Sequence, residues 1–135
     1  MHVIGESVAS FEFPEIPPST TDRLAPAAYN AAQNLFALGV NSAVTIFELS
    51  PAGAPRLVHR FVPDAASSSL AFDPSGRRLA VSTTARRLTI WDWEETLPLL
   101  DFPIRAVASS MAFSPDGRWL ANTDFGPTAD LRDSR

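Results

Sequence analysis

Residues 70–93 read LAFDPSGRRLAVSTTARRLTIWDW. Three short apolar, β-prone runs, LAF, LAV and LTIW, are separated by polar turns, the first of them Pro-Ser-Gly. Runs this short, bounded by turn residues, predict β-strands rather than helices. The pattern then recurs as MAFSPDGRWLANTDFGPTADLRD from Met111. A shift of 41 carries Leu70 to Met111, Gly76 to Gly117, Leu79 to Leu120 and Asp92 to Asp133. An internal repeat of this length decides the architecture, because one unit alone cannot bury its apolar face.

A more diverged copy lies upstream. Ala28-Tyr29 matches Ala71-Phe72 at a shift of 43, Phe36-Ala37-Leu38 matches Leu79-Ala80-Val81, and VTIFEL over 44–49 matches LTIWDW over 88–93 at a shift of 44. SPAGAP over 50–55 is a turn by composition, and RLVHRFV over 56–62 then reads as a strand, in the place that LPLLDF holds in the second copy. Each unit therefore predicts four strands. TTDRLAPAAYNAAQN invites a helix assignment, but Pro26 in its middle argues against one. The last copy supplies three strands, and VASFEF over 8–13 is an orphan strand followed by a Pro-rich connection. The expected division is residues 1–23 for that strand and connection and 24–135 for the repeats, with units at 24–62, 67–102 and 108–135. The fold class is all-β.

Composition narrows the chemistry. At 135 residues and 45% hydrophobic, the chain suits one globular domain. Its net charge of −4 argues against a general nucleic-acid binder. No apolar run is long enough to cross a bilayer, and MHVIGESVAS lacks the basic start and apolar core of a signal peptide, so a cytoplasmic protein is expected. Cysteine is absent and all 11 basic residues are arginine. That removes disulfides, thiolate ligands, cysteine nucleophiles, Schiff-base lysines and phosphate-loop lysines.

LAFDPSGRRLA with LTIWDW, and MAFSPDGRWLA with ADLRD, resemble the repeats of the WD-repeat β-propeller family. That resemblance covers roughly residues 24–133 and implies four-stranded blades with a period of about 40–45 residues. It also implies a non-enzymatic protein-interaction or scaffold module. SPDGRWLA alone is similar to the propeller repeats of TolB-type proteins and prolyl oligopeptidases as well, so the alternative is a propeller associated with a hydrolase outside this chain. The IWD sequence favours the WD type. The family's Gly-His pair is missing, with Val62-Pro63 and Pro103-Ile104 in that region, and Ala85 stands where the usual turn aspartate belongs. The family's Asp–His–Ser/Thr–Trp hydrogen-bond network therefore cannot form as a set, leaving Trp91 and Thr83 in the second unit and Arg132 in place of the Trp in the third. Blades held mainly by apolar packing are expected.

Closed propellers have 4–8 blades, so about three blades leave two outer faces open. A four-stranded face of about 300 Å² left bare forgoes on the order of 8 kcal/mol, comparable to the whole stability of a domain at about 5–15 kcal/mol. Two completions are expected: missing blades from a longer chain, or a homodimer. In both, residues 8–13 pair beside the last strand.

The catalytic inventory is thin, and no enzyme activity, metal or cofactor is expected. His59 lacks a local nucleophile or acid and reads as structural or surface, with alternation setting it opposite Val58 and Arg60; His2 is terminal. Asp92, Glu94 and Glu95 read as a solvated turn, and Asp73 and Asp116 as turn residues that bond local amides. Trp91 is expected in blade packing, and Trp93 and Trp119 in core or rim. Arg86 and Arg87 fall in the turn between the second and third strands of unit two, and Arg105 in the connection into unit three. In a propeller both connections emerge on one rim. Arg86, Arg87 and Arg105 are therefore the candidate binding residues, for a protein partner of unspecified identity.

Overall fold

The computed structural model describes residues 26–135 apart from positions 41, 52, 125, 127 and 128. Residues 8–13, and the pairing expected of them, lie outside the described residues. Within them the chain is all-β, with eleven strands and no helix. Sheet one contains β1 (Ala27–Asn30), β2 (Leu35–Val40), β3 (Ala43–Ser50) and β4 (Gly53–Phe61). Sheet two contains β5 (Ser67–Phe72), β6 (Arg78–Thr83), β7 (Arg87–Asp92) and β8 (Leu97–Pro103). Sheet three contains β9 (Ser110–Phe113), β10 (Trp119–Thr123) and β11 (Ala129–Asp133). Every sheet is an antiparallel meander in chain order.

The hairpin turns follow from their residues. In the β5–β6 turn, Asp73 Oδ1 accepts from the Arg78 backbone N–H at 3.0 Å, and Ser75 Oγ accepts from that of Arg77 at 3.1 Å. In the β9–β10 turn the two residue types exchange places. Ser114 Oγ accepts from the Trp119 N–H at 3.0 Å and Asp116 Oδ1 from that of Arg118 at 3.1 Å. DPSG and SPDG are thus two spellings of one hydrogen-bonded turn. Gly76 and Gly117 complete it at φ +76° and +74°, where a side chain is strained.

Side chains alternate across each sheet, so each strand feeds two cores. Between sheets one and two lie Leu35, Ala37, Val44, Ile46 and Phe61, facing Leu70, Phe72, Leu79, Val81 and Trp93. The other side of sheet two, Ala71, Ala80, Leu88 and Ile90, packs with Ile104, Ala108, Met111 and Leu120 of sheet three and its approach. Sheet two is therefore sandwiched, which explains why its strands read as almost continuous apolar runs. The innermost strands β1, β5 and β9 are neighbours. At the first junction the approach is close: a Cβ on Gly39 would sit 1.9 Å from Ser67 Oγ and 3.2 Å from Ser67 Cβ.

One alternation expectation needs correcting. Ile46 pairs with His59 but Phe47 pairs with Leu57, so Val58 is the extra residue of a β-bulge. The bulge turns Val58 towards the first core together with His59, instead of setting the two on opposite faces.

Candidate interaction rim and the ties between sheets

The antiparallel meanders send alternate connections to opposite rims. One rim includes the turns β1–β2, β5–β6, β7–β8 and β9–β10; the other includes the connections β4–β5, β6–β7 and β8–β9. The first rim holds a set of ties that link the sheets. Asn30 donates from Nδ2 to the Asp73 carbonyl at 2.9 Å, joining the turn of sheet one to that of sheet two. Arg78 repeats the step, donating to the carbonyls of Ser134 at 2.6 Å and Gly117 at 3.1 Å while its Nε holds Asp73 at 3.2 Å. Its guanidinium also lies 5.7 Å from the Phe113 ring centre.

Each of the last two turns is capped in addition by a side chain of its own sheet. Trp93 Nε1 donates to the Gly76 carbonyl at 2.7 Å, and Ser134 Oγ donates to the Gly117 carbonyl at 2.5 Å. Both side chains are buried, and 134 minus 93 is again the repeat shift of 41. Polar bracing between the sheets therefore lies at the turns. The positions where the family network would lie are unsatisfied: Thr83 Oγ1 and Trp91 Nε1 are buried and make no hydrogen bond among the described residues. In sheet three, Arg132 donates to Asn122 Oδ1 at 3.3 Å and covers the Phe102 ring at 5.3 Å.

The opposite rim holds the three arginines singled out by sequence. The β6–β7 turn is tight: the Arg86 N–H donates to the Thr83 carbonyl at 3.1 Å, with Arg86 at φ +61°. The Arg86 carbonyl accepts from the Ile104 N–H at 2.9 Å, which draws the start of the β8–β9 connection, and Arg105 with it, against this turn. The arginines differ in what they already hold. Arg87 forms a two-point pair with Asp101 on β8, and Thr89 donates to the same carboxylate at 3.1 Å. That hydrogen bond raises the Arg87 pKa and holds the Asp101 carboxyl below the ordinary aspartate value. Arg105 reaches Asp130 of sheet three at 3.7 Å with its side chain 80% exposed. Arg86 is exposed and makes no ion pair among the described residues.

The remaining candidates hold structural positions. His59 Nε2 meets Thr96 Oγ1 at 2.7 Å and its ring lies beside Phe61 and Trp93, bridging sheets one and two. Asp92 and Glu94 both pair with Arg77, and the hydrogen bond from Arg77 lowers the Asp92 pKa. Trp119 is exposed, with the Arg118 guanidinium 4.8 Å over its ring. No group of three or more His, Cys, Asp or Glu suited to a metal ion exists among the described residues. Sequence reasoning missed Asn30, Arg78 and Ser134, and the pairing of Trp93 with Ser134 at the repeat shift was the available signal.

Neither a family model nor a curated protein matches the chain. Among solved structures it is similar to the Cps50 (Swd1) β-propeller domain of Myceliophteria thermophila, at a TM-score of 0.67 and 19% identity. The chain has the fold of β-propeller blades. The match covers 81% of this chain and 35% of that one, so the chain spans about a third of the propeller domain it resembles. Sheets one, two and three are accordingly blades one, two and three, and the two rims are the two ends of a propeller sector.

Proposed function

We propose that the chain is a non-enzymatic protein-interaction module of the WD-repeat propeller type, binding through the rim formed by the β6–β7 and β8–β9 connections. The observation that carries this reading is the bond from Ile104 N–H to the Arg86 carbonyl, which holds the backbone next to Arg105 against that of Arg86 where β7 begins and β8 ends. Both side chains are solvent-facing, and guanidinium groups suit a partner that offers carboxylates. Arg87, committed to Asp101, is the stiffening member of the group rather than a free contact. The propeller fold, and the Trp91-Asp92 pair that closes β7, support the WD-type assignment.

Affinity capture with the immobilised chain, read by mass spectrometry, tests this. Arg86→Ala with Arg105→Ala should lower recovery of specific partners about tenfold or more, the effect of removing two interfacial arginines worth about 1 kcal/mol each. Arg87→Ala should have the smaller effect. An unchanged set and yield of partners for a variant carrying all three alanine substitutions contradicts the reading.

A further inference from the structure

Blades one and two each carry a fourth, outermost strand, whereas the sheet of blade three ends at its third, β11. The three outer edges differ in chemistry. β4 contains Pro55, and β8 contains Pro98 and Pro103. Proline lacks a backbone N–H and so blunts an edge against further pairing. β11, with the sequence ADLRD, contains none. The Ser134 N–H donates to the Arg118 carbonyl at 2.7 Å, one step beyond the pair Trp119–Asp133. In an antiparallel ladder the N–H and C=O of one residue point the same way and those of its neighbours point oppositely. Asp130 and Arg132 therefore bond to β10, while Ala129, Leu131 and Asp133 present their backbone groups to the outer edge, where no strand pairs among the described residues.

The side chains of β11 are complementary to themselves about Leu131. Asp130 stands on one side of it and Arg132 on the other. Both are half-buried on the side facing blade two, where Arg132 covers the Phe102 ring at 5.3 Å. Leu131 lies on the opposite face and is 66% exposed. Asp130 is held loosely within the chain, by Arg132 at 3.6 Å and Arg105 at 3.7 Å, both longer than a hydrogen bond. An edge carrying charges of one sign repels its own copy. An acid and a base placed symmetrically about a central leucine do the reverse in one antiparallel register.

We propose that β11 of a second copy of this chain pairs antiparallel with β11 across a twofold axis at Leu131, joining the two third blades into one continuous sheet. In that register the two Leu131 residues exchange both backbone hydrogen bonds, and Ala129 of each copy does so with Asp133 of the other. Each Asp130 then lies opposite an Arg132, in the closer kind of cross-strand pair, where opposite charges attract. Sliding one strand by two residues either way sets Asp130 against Asp130 or Arg132 against Arg132, so charge selects a single register. The two copies of blade two lie on one side of the joined sheet and lean apart, because blades radiate from an axis. The inference rests on the edge of blade three and is independent of the arginine rim.

Light scattering after gel filtration of the whole chain, from micromolar to submillimolar concentration, tests it, with circular dichroism confirming that each variant is folded. One short edge buries less than a standard interface, so the mass should double towards the high end of that range. Arg132→Asp and Asp130→Arg each set like charges against one another across the axis and should raise the dissociation constant about tenfold or more. Mixing these two proteins should restore a dimer, because every charged pair across the junction is then of opposite sign. The double variant Asp130→Arg with Arg132→Asp should dimerise for the same reason. Leu131→Pro removes an N–H that β10 does not use, and should give monomers. Arg56→Asp, on the edge strand of blade one, should leave the dimer intact. A wild type that stays monomeric, as it would if residues 8–13 of the same chain took this edge, overturns the proposal. So does a dimer indifferent to the single charge reversals or to Leu131→Pro, or a mixture that stays monomeric.

Discussion

Two tryptophans two residues apart are predicted to differ sharply in their response to the same substitution. Trp93 is 4% exposed and its indole N–H donates to the Gly76 carbonyl at 2.7 Å. Trp93→Phe deletes that donor and strands a buried carbonyl, at about 1–3 kcal/mol. The smaller ring also gives up about 40 Å² of buried apolar surface, worth about 1 kcal/mol. The expected loss is about 2–4 kcal/mol. Trp91 lies two residues earlier, within β7, but its buried Nε1 makes no hydrogen bond among the described residues. Trp91→Phe removes an unsatisfied donor whose burial costs about 1–3 kcal/mol, which offsets the lost ring contacts with Phe61 at 5.0 Å. Its net effect should fall within about 1 kcal/mol of zero. Urea unfolding followed by far-ultraviolet circular dichroism, a signal that does not depend on the tryptophans, measures both. Equal destabilisation by the two variants, or a larger loss at Trp91, refutes the assignment of polar bracing to the turn.

Further predictions concern the junctions and the turns. Gly39→Ala should destabilise by about 1–3 kcal/mol through the clash with Ser67, and Ser67→Ala should restore part of the loss while costing little alone, since Ser67 Oγ is buried without a partner. Thermal melts of the two single variants and the double variant measure the coupling. Arg78→Met takes the guanidinium from the buried Asp73 carboxylate, which keeps its bonds from Ser75 and the residue-78 N–H, and leaves the Ser134 carbonyl without its donor, so it should cost about 1–3 kcal/mol by chemical denaturation, with hydrogen exchange rising at the β9–β10 turn. Asp92, Asp101 and Asp116 have folded pKa values below their ordinary 3.8, through hydrogen bonds from Arg77, Arg87 and Ser114 respectively. The stability they contribute is present above pH 3.8 and is lost as pH falls through the lower folded values. Asp101→Asn should flatten that acid limb in a pH series of urea midpoints.

Strands and repeat were legible because both are local. Period-two alternation, Pro-Ser-Gly and Pro-Asp-Gly turns and the shift of 41 lie on the surface of the text, and so did the placement of Arg86 and Arg105 on one rim, which needs only strand alternation. What depends on stacking was not legible. Arg78 reaches Ser134 across 56 residues, and nothing near either position announces the partner. The absence of the family's polar network suggested apolar blades, whereas bracing reappears at the turn carbonyls through Trp93, Ser134, Arg78 and Asn30. The bulge at Val58 upset the alternation argument for His59 because one inserted residue inverts every later side chain of a strand.

The account rests on the stacking of one blade on the next, and a cysteine pair tests this most directly. The chain contains no cysteine, so Gly39→Cys with Ser67→Cys introduces the sole thiols. A Cβ at position 39 lies 3.2 Å from the Ser67 Cβ, close to the spacing a disulfide spans. Mild oxidation of the folded double variant should join blades one and two, leave no titratable thiol, and raise the stability to urea by up to about 3–4 kcal/mol. Thiols that stay free in the native protein and cross-link only after unfolding contradict the stacked arrangement.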